Sequence, residues 1–485
     1  MDSKHGRAGD YTLDLLLIDP PRRYWGFGGG MGHNSPPVGL ATLAGFLEAH
    51  GVSVDILDCN GLQLGWDTLR QEIERRNPRC IGVSSSMTCF VPEAFRCVEL
   101  AKQVNPGIHT LGGGAQFTLA PEESLRRCAD LDFVIRGDGE YATLELLQEL
   151  QKKAPELIKV SGLSFRTDGK IEHNDARPPV EDLDALPLPA WHLLPMADYA
   201  LPVLPPGWGN FAIVVTSRGC PFKCNFCSPR LAHAPYRTLS ADRVLEMLDD
   251  LYHNQGTRVF WFSDLSFNVS TERTEQILDG IIERGWKVHI ALDGTRTDLI
   301  IRDQHLLPKM KKAGVFLVCL GVESPFERDL QAYDKGTTRQ KAEEAVALVR
   351  KHGIHAWCFF MAGNVDHTQA DFDDILAYAK LLDPTIAIFT LVTPIPGTDF
   401  YDQMVAEGRI EEFDWARYDF GHPVLKSKHL SREEILDLYD KCFRGFYNRV
   451  GKIVKHGFLG DDFARYTYRF LRFVNSARQI KEGTL

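Results

Sequence analysis

Two successive series of short apolar runs, each run followed by a stretch of helical periodicity, constrain this fold most. In the first series the runs are Leu13–Asp19, Val52–Leu57, Cys80–Ser84, His109–Gly112 and Phe133–Ile135. Apolar spacing of three and four residues predicts helices over Leu40–His50, Trp66–Arg76, Pro92–Val104 and Pro121–Ala129, with Gly51 as a C-cap. Five strands joined by helical crossovers imply an α/β domain with a doubly wound parallel sheet, whose ligands lie at the strand carboxyl ends. The second series predicts strands at Ala212–Thr216, Arg258–Phe262, Val288–Leu292, Phe316–Gly321, Ala356–Met361 and Ile386–Leu391. Helices such as Ala241–Tyr252, Thr274–Arg284 and Arg339–His352 fall between them, so a partial (β/α)6 barrel is expected.

Between the two series, residues 156–205 read as a connector, with a hairpin over Gly162–Lys170 and proline-rich Leu186-Pro-Leu-Pro and Val203-Leu-Pro-Pro. Beyond Pro396 the pattern is aromatic and helical. The expected division is 1–155, 156–205, 206–395 and 396–485, in keeping with two to three domains for 485 residues. A net charge of −10 argues against nucleic acid as the main partner. No run approaches the roughly 18 apolar residues of a membrane span. The opening MDSKHGRAGD lacks the apolar core of a secretory signal, so the cytoplasm is the expected location.

Eleven cysteines are many for such a chain, and eight are scattered: Cys59, Cys80, Cys89, Cys97, Cys128, Cys319, Cys358 and Cys442. An odd count without a signal argues against a disulfide framework, and these read as buried small hydrophobes. The remaining three form Cys220-Pro-Phe-Lys-Cys224-Asn-Phe-Cys227, just after the first strand of the second series. Thiolates this close on one loop suit three irons of a [4Fe–4S] cluster and leave the fourth iron open for reaction. A zinc site with a distant fourth ligand and a four-thiolate cluster are the ordinary alternatives.

The strand ends of the first series are rich in glycine and small hydroxyls. They read Pro20-Pro21-Arg22-Arg23-Tyr24-Trp25-Gly26, Ser84-Ser85-Ser86-Met87-Thr88, Gly112-Gly113-Gly114-Ala115-Gln116 and Arg136-Gly137-Asp138-Gly139-Glu140. Such residues let backbone approach a large flat ligand. Tight turns would account for any one of them, but four on one sheet edge favour a ligand. None carries the dinucleotide G-x-G-x-x-G at a strand-to-helix turn.

The C-x3-C-x2-C spacing with Phe226 before its last cysteine resembles the radical S-adenosylmethionine superfamily. The resemblance implies that the amino and carboxylate groups of S-adenosylmethionine chelate the open iron. The reduced cluster would then split the sulfonium to a 5′-deoxyadenosyl radical. It also implies that Asp264, in Phe260-Trp-Phe-Ser-Asp264, faces the methionyl end, that Arg296 pairs with its carboxylate, and that Glu323, in Gly321-Val-Glu323-Ser324, binds the ribose. For these three, a purely structural charge is the ordinary alternative. At the fifth strand Met361-Ala-Gly363-Asn-Val-Asp366-His367-Thr368 departs from the superfamily's common Gly-Leu-Pro-Gly-Glu-Thr.

The glycine-edged sheet ahead of such a barrel narrows the resemblance to the cobalamin-binding, class B methylase-like branch. Pro36-Pro37-Val38-Gly39-Leu40, Lys335-Gly336-Thr337-Thr338, Thr393-Pro394-Ile-Pro396-Gly397-Thr398 and Trp415-Ala-Arg-Tyr418-Asp419 extend the likeness from residue 13 to about residue 420. It implies a flavodoxin-like first domain binding cobalamin through Tyr24, Trp25, Ser84, Ser86, Thr88, Gly113, Gly114, Gln116, Gly137 and Glu140, with His33 and Met87 as further contacts. Loop packing is the ordinary alternative for these side chains. No Asp-x-His-x-x-Gly string exists to supply a lower axial histidine, and this branch commonly lacks one.

The expected function is methylation of an unactivated carbon by an enzyme that uses a [4Fe–4S] cluster, S-adenosylmethionine and cobalamin. An external electron donor such as flavodoxin or ferredoxin and an oxygen-poor setting are implied. The substrate is left open between a small molecule and a peptide or protein side chain, such as one in methyl-coenzyme M reductase. A cyclisation or rearrangement with the same cofactors is the second reading. A cobalamin-binding sensor or carrier with a structural cluster is the third.

Overall fold

The computed structural model describes residues 11–22, 35–227 and 235–477; Tyr24, Trp25 and His33 lie outside the described residues. β1 (Leu13–Asp19), β2 (Val54–Asp58), β3 (Pro78–Ser84), β4 (His109–Gly113) and β5 (Phe133–Ile135) are parallel and lie in the order β2-β1-β3-β4-β5. Their near-continuous Leu, Ile and Val content follows from burial on both faces beneath crossover helices. The strand order reverses between β1 and β3, the position at whose carboxyl ends open α/β sheets of this kind bind ligands.

In the first sheet, two details depart from the sequence expectation. The helix expected over Pro121–Ala129 runs Pro121–Arg127 and follows a separate short helix, Ala115–Leu119. Proline disfavours helical backbone at the residue before it, and Ala120 accordingly sits at φ −129° and ψ 54°. The connector hairpin, β6 (Leu163–Thr167) and β7 (Lys170–His173), joins the first sheet antiparallel to β5. Its two-residue turn, Asp168-Gly169, has φ of 47° and 76°, the positive values that a tight hairpin requires.

The second sheet holds β8 (Asn210–Val214), β9 (Thr257–Phe262), β10 (His289–Thr295), β11 (Val315–Glu323), β12 (His355–Ala362) and β13 (Ile386–Leu391). All six are parallel in chain order and form a partial barrel. Hydroxyl caps start its helices: Ser240, Ser270 and Thr338 each accept the backbone N–H three residues on. β8 ends at Val214 rather than at the expected Thr216, because the Thr216 N–H leaves the ladder for a side chain described below.

The barrel does not close, so β13 keeps a free edge. The Tyr447 hydroxyl, on helix Arg432–Tyr447, accepts from the Ala387 N–H at 3.0 Å and donates to the Ala387 carbonyl at 2.9 Å, which blunts that edge. The segment before this helix packs back on the first sheet: Trp415, Tyr418 and Leu425 share a core with Ile18, Val83 and Phe117. The C-terminal region is thus helical and holds the two sheets together. Among the described residues no helix is long and apolar enough to cross a membrane.

Candidate active site between the two sheets

A buried carboxylate fixes the start of the cysteine loop. Asp264 Oδ1 accepts from the Thr216 N–H (2.8 Å) and the Ser217 hydroxyl (2.7 Å), and Oδ2 accepts from the Thr216 hydroxyl (2.7 Å). Burial pushes this carboxyl up, while these donors and Arg273 hold it down. Asp264 was expected to face the methionyl end; the structure engages both its oxygens on the loop that leads to the cysteines.

The rest of the loop is held from across the barrel mouth. The Asn225 N–H donates to the Tyr333 carbonyl (3.1 Å), and its side-chain amide donates to that of Ala332 (2.7 Å). The Arg296 guanidinium lies 3.8 Å from the centroid of the Phe222 ring. It donates to both Asp298 oxygens (2.9 and 3.3 Å) and to the Lys335 carbonyl (2.8 Å). Cys224 is buried, and Cys220 and Cys227 are partly so. Burial pushes the Cys220 thiol up, against the pull of the Phe222 N–H, Arg296 and Lys335. Among the described residues, no three His, Cys, Asp or Glu side chains gather around one point as a single ion requires. A cluster asks less, because each thiolate takes its own iron. A cationic rim of Arg296 and Lys335 suits that anionic group.

Glu323 ends β11 with a φ of 63°, uncommon for a side chain of this size. Its Oε1 accepts from Lys335 Nζ at 2.5 Å, and both side chains are about nine-tenths buried. Burial alone would pull Lys335 down, but Glu323 outweighs it and raises the ammonium above its ordinary range. A Cβ on Gly321 would lie 2.5 Å from Glu323 Oε1 and 2.6 Å from Lys335 Nζ, so glycine makes room for the pair. Glu323 also lines the cavity described below, as does Phe226, whose ring meets Tyr333 edge-on at 5.5 Å.

On the first sheet, the predicted residues divide. Gly114, at φ 88°, lets the chain pass the Ser84–Ser85 loop: a Cβ there would lie 2.7 Å from Ser84 Oγ. Gly113 and Gly137 face open space, with nothing within 4 Å of a Cβ, and the Gly137 N–H donates to Thr118 Oγ1 at 3.1 Å. Thr88 donates to Gln116 Oε1 at 2.7 Å, and both are buried. Ser86 is exposed and lines the cavity beside Met87. An open glycine cradle at the ends of β4 and β5, flanked by the hydroxyls that follow β3, fits a large flat ring. Glu140 is placed elsewhere: it receives Arg218 at 2.5 Å, while Asp138 receives Arg218 at 3.0 Å and Arg237 at 2.6 Å. This buried network ties the end of β5 to the residues just before the cysteine loop.

The loop after β3 and the strand ends of the second sheet open on one cavity of about 670 Å³. Ser86, Met87 and Thr88 line it from the first sheet, and Phe226, Cys227 and Glu323 from the second. Trp261, Asp293, Cys319 and Trp357 also line the cavity, although from sequence Cys319 reads as a buried small hydrophobe, Trp261 only as part of the Phe260–Asp264 run, and Lys335 only as part of its family string. Period-two alternation could have pointed all four inward, but not distinguished cavity from core.

Comparisons with known proteins agree with this geometry. The B12 binding domain family matches residues 26–147, and the Radical SAM superfamily matches residues 214–379. An uncharacterized methyltransferase of Pyrococcus horikoshii is 32% identical, over 92% of this chain and 96% of its own. The anaerobic magnesium-protoporphyrin IX monomethyl ester cyclase of Rubrivivax gelatinosus is 29% identical, over 90% of this chain and 77% of its own. The radical S-adenosylmethionine methyltransferase TsrM of Kitasatospora setae, solved with cobalamin and a [4Fe–4S] cluster bound, shares the fold. It gives a TM-score of 0.70 at 16% identity, over 96% of this chain and 99% of that one. The chain belongs to the cobalamin-dependent radical S-adenosylmethionine family, in its methyltransferase branch, with a [4Fe–4S] cluster, S-adenosylmethionine and cobalamin as its cofactors.

Proposed function

We propose that this enzyme transfers a methyl group to an unactivated carbon of a substrate held in the cavity between its two sheets. The shared cavity is the observation that carries this reading, since methyl donor, hydrogen abstraction and substrate must converge there. When bound, the cluster with S-adenosylmethionine supplies hydrogen abstraction, and cobalamin supplies the methyl group.

The roles of the chain's residues follow from their positions. Cys220, Cys224 and Cys227 hold the cluster, and Asp264 and Arg296 position their loop. Glu323, held by Lys335 through Oε1, meets a ribose hydroxyl where it lines the cavity, while Phe226 covers the same end. Ser84, Ser86, Thr88, Gly113, Gly114, Gln116 and Gly137 form the cobalamin cradle. Glu140 acts at a distance, by holding the cradle's sheet against Arg218. The division of labour proposed is residues 1–155 for cobalamin, 156–205 as connector, 206–395 for radical chemistry and 396–485 as brace. An external one-electron donor such as flavodoxin or ferredoxin serves the cluster, and an oxygen-poor cytoplasm suits its open iron.

A protein side chain, such as one in methyl-coenzyme M reductase, is one substrate this chemistry admits. The mostly apolar cavity, part of whose volume the cofactors take, favours a small molecule. The cyclase relative supports a second reading, in which the same cofactors close a ring without methyl transfer. Deletion and re-expression in the native cell, followed by mass analysis of the extract, separates the two. Methylation predicts a component that is heavier by one methyl group only when the protein is present. A component that instead differs by loss of hydrogen would support ring closure.

A further inference from the structure

The cavity has an upper level and a floor. Glu323, Phe226 and Cys227 line the upper level beside the cysteine loop. On β11, Cys319 lies two inward positions below Glu323, and it is in register with Trp357 on β12. Trp261 on β9 and Asp293 on β10 complete a ring at this lower level.

Aromatic rings make up most of the floor. Trp261 and Trp357 meet edge-on, with centroids 5.8 Å apart at 86°, and Phe359 stacks on Trp357 at 6.0 Å. Amid these rings stands the Asp293 carboxyl. Burial pushes it up, while the Gly294 N–H, the Trp261 indole and the Cys319 thiol, turned towards it, hold it down. The Trp357 indole N–H is buried and has no hydrogen-bond partner among the described residues. An unmatched buried N–H costs about 1–3 kcal/mol. A carboxyl placed among rings carries a further desolvation cost. Packing alone would favour apolar residues at both positions.

We propose that this floor anchors the substrate. Asp293 accepts from a hydroxyl or N–H on it, the Trp357 N–H donates to an acceptor, and the aromatic rings clamp an apolar ring system between them. The inference rests on the methyl-transfer reading of the same cavity and adds the substrate class: a small, largely apolar, ring-bearing molecule with a hydrogen-bond donor. Hydroxyl and ammonium are the two forms that donor takes.

Calorimetric titration of the reconstituted holoenzyme with 2-naphthol, 2-naphthylmethylamine and 2-methylnaphthalene tests this directly. The two donor-bearing probes are expected to bind at least about tenfold tighter than 2-methylnaphthalene. Whichever of the two binds tighter identifies the donor as hydroxyl or ammonium. Asp293→Leu should erase the preference, with a lower melting temperature because the Gly294 N–H and the Trp261 indole lose their acceptor. Trp357→Phe keeps the ring wall and should weaken 2-naphthol binding several-fold. Equal affinity of all three probes for the wild-type protein overturns the proposal, as does a preference that survives Asp293→Leu. Formation of 5′-deoxyadenosine by the wild-type protein is a separate readout: if it fails while the probes discriminate, the radical reading falls and the anchor stands.

Discussion

The two sides of the cavity are built on opposite principles. On the side of the cysteine loop the charged groups are committed: Asp264 to Thr216 and Ser217, Arg296 to Asp298 and Lys335, and Lys335 to Glu323. On the side proposed for cobalamin the backbone is bare of side chains, with nothing within 4 Å of a Cβ at Gly113 or Gly137. A reactive cluster needs its ligands held rigidly, and a large ring needs backbone that side chains do not obstruct. Substitutions on the first side should therefore break networks, whereas those on the second should fill space.

Asp264→Ala should have the largest effect. It leaves the Thr216 N–H and two hydroxyls without acceptors in a buried site, at a cost of about 3–5 kcal/mol. Denaturant unfolding and iron content should fall together, and an unchanged iron content would show that the loop does not depend on this carboxylate. Glu323→Gln should come next, because it keeps the shape but leaves Lys335 uncompensated. S-adenosylmethionine should bind about tenfold to a hundredfold more weakly to the reconstituted protein. Gly321→Ala should reproduce part of that loss, since its Cβ would press on the same pair.

An electrostatic probe sharpens the contrast. Asp58, at the end of β2, is pushed up to about 6 by burial and by Asp19, against the Gly61 and Asn60 N–H groups and the Tyr199 hydroxyl. A carboxyl raised on folding binds its proton more tightly in the folded chain. The stability it contributes is complete below its unfolded value near 4 and is lost as pH rises through about 6. Asp58→Asn should therefore gain about 3 kcal/mol over the wild type between pH 4 and pH 6, and no more above that window. A constant difference across it, measured by urea unfolding, would contradict this. The smallest effect is expected of Gly113→Val, which fills the cradle without meeting any neighbour. Cobalamin should bind about tenfold more weakly, with stability changed by less than about 1 kcal/mol. Unaltered cobalamin affinity would remove Gly113 from the cradle.

This contrast also separates what the sequence made legible from what it did not. The strands and the cysteine trio were readable because periodicity and spacing are local properties. The contacts of Asp264 were not, since Thr216 and Ser217 lie almost fifty residues earlier, beyond the end of β8. Helix Ala115–Leu119 and the attachment of β6 to β5 depended on a backbone bend and a long-range pairing. Glu140 carried the right family string, yet its charge is answered by Arg218 from the second unit. Asp293 and Trp357 went unmarked because inward-facing strand residues look alike until a cavity is found beside them.

The central claim is that both cofactor sites serve one substrate in one cavity. The most direct test supplies the reconstituted protein with S-adenosylmethionine carrying a deuterated methyl group and follows both products by mass spectrometry. The account predicts a product that carries the intact deuterated methyl, with about one 5′-deoxyadenosine formed for each. A product that lacks the label while 5′-deoxyadenosine accumulates would contradict it.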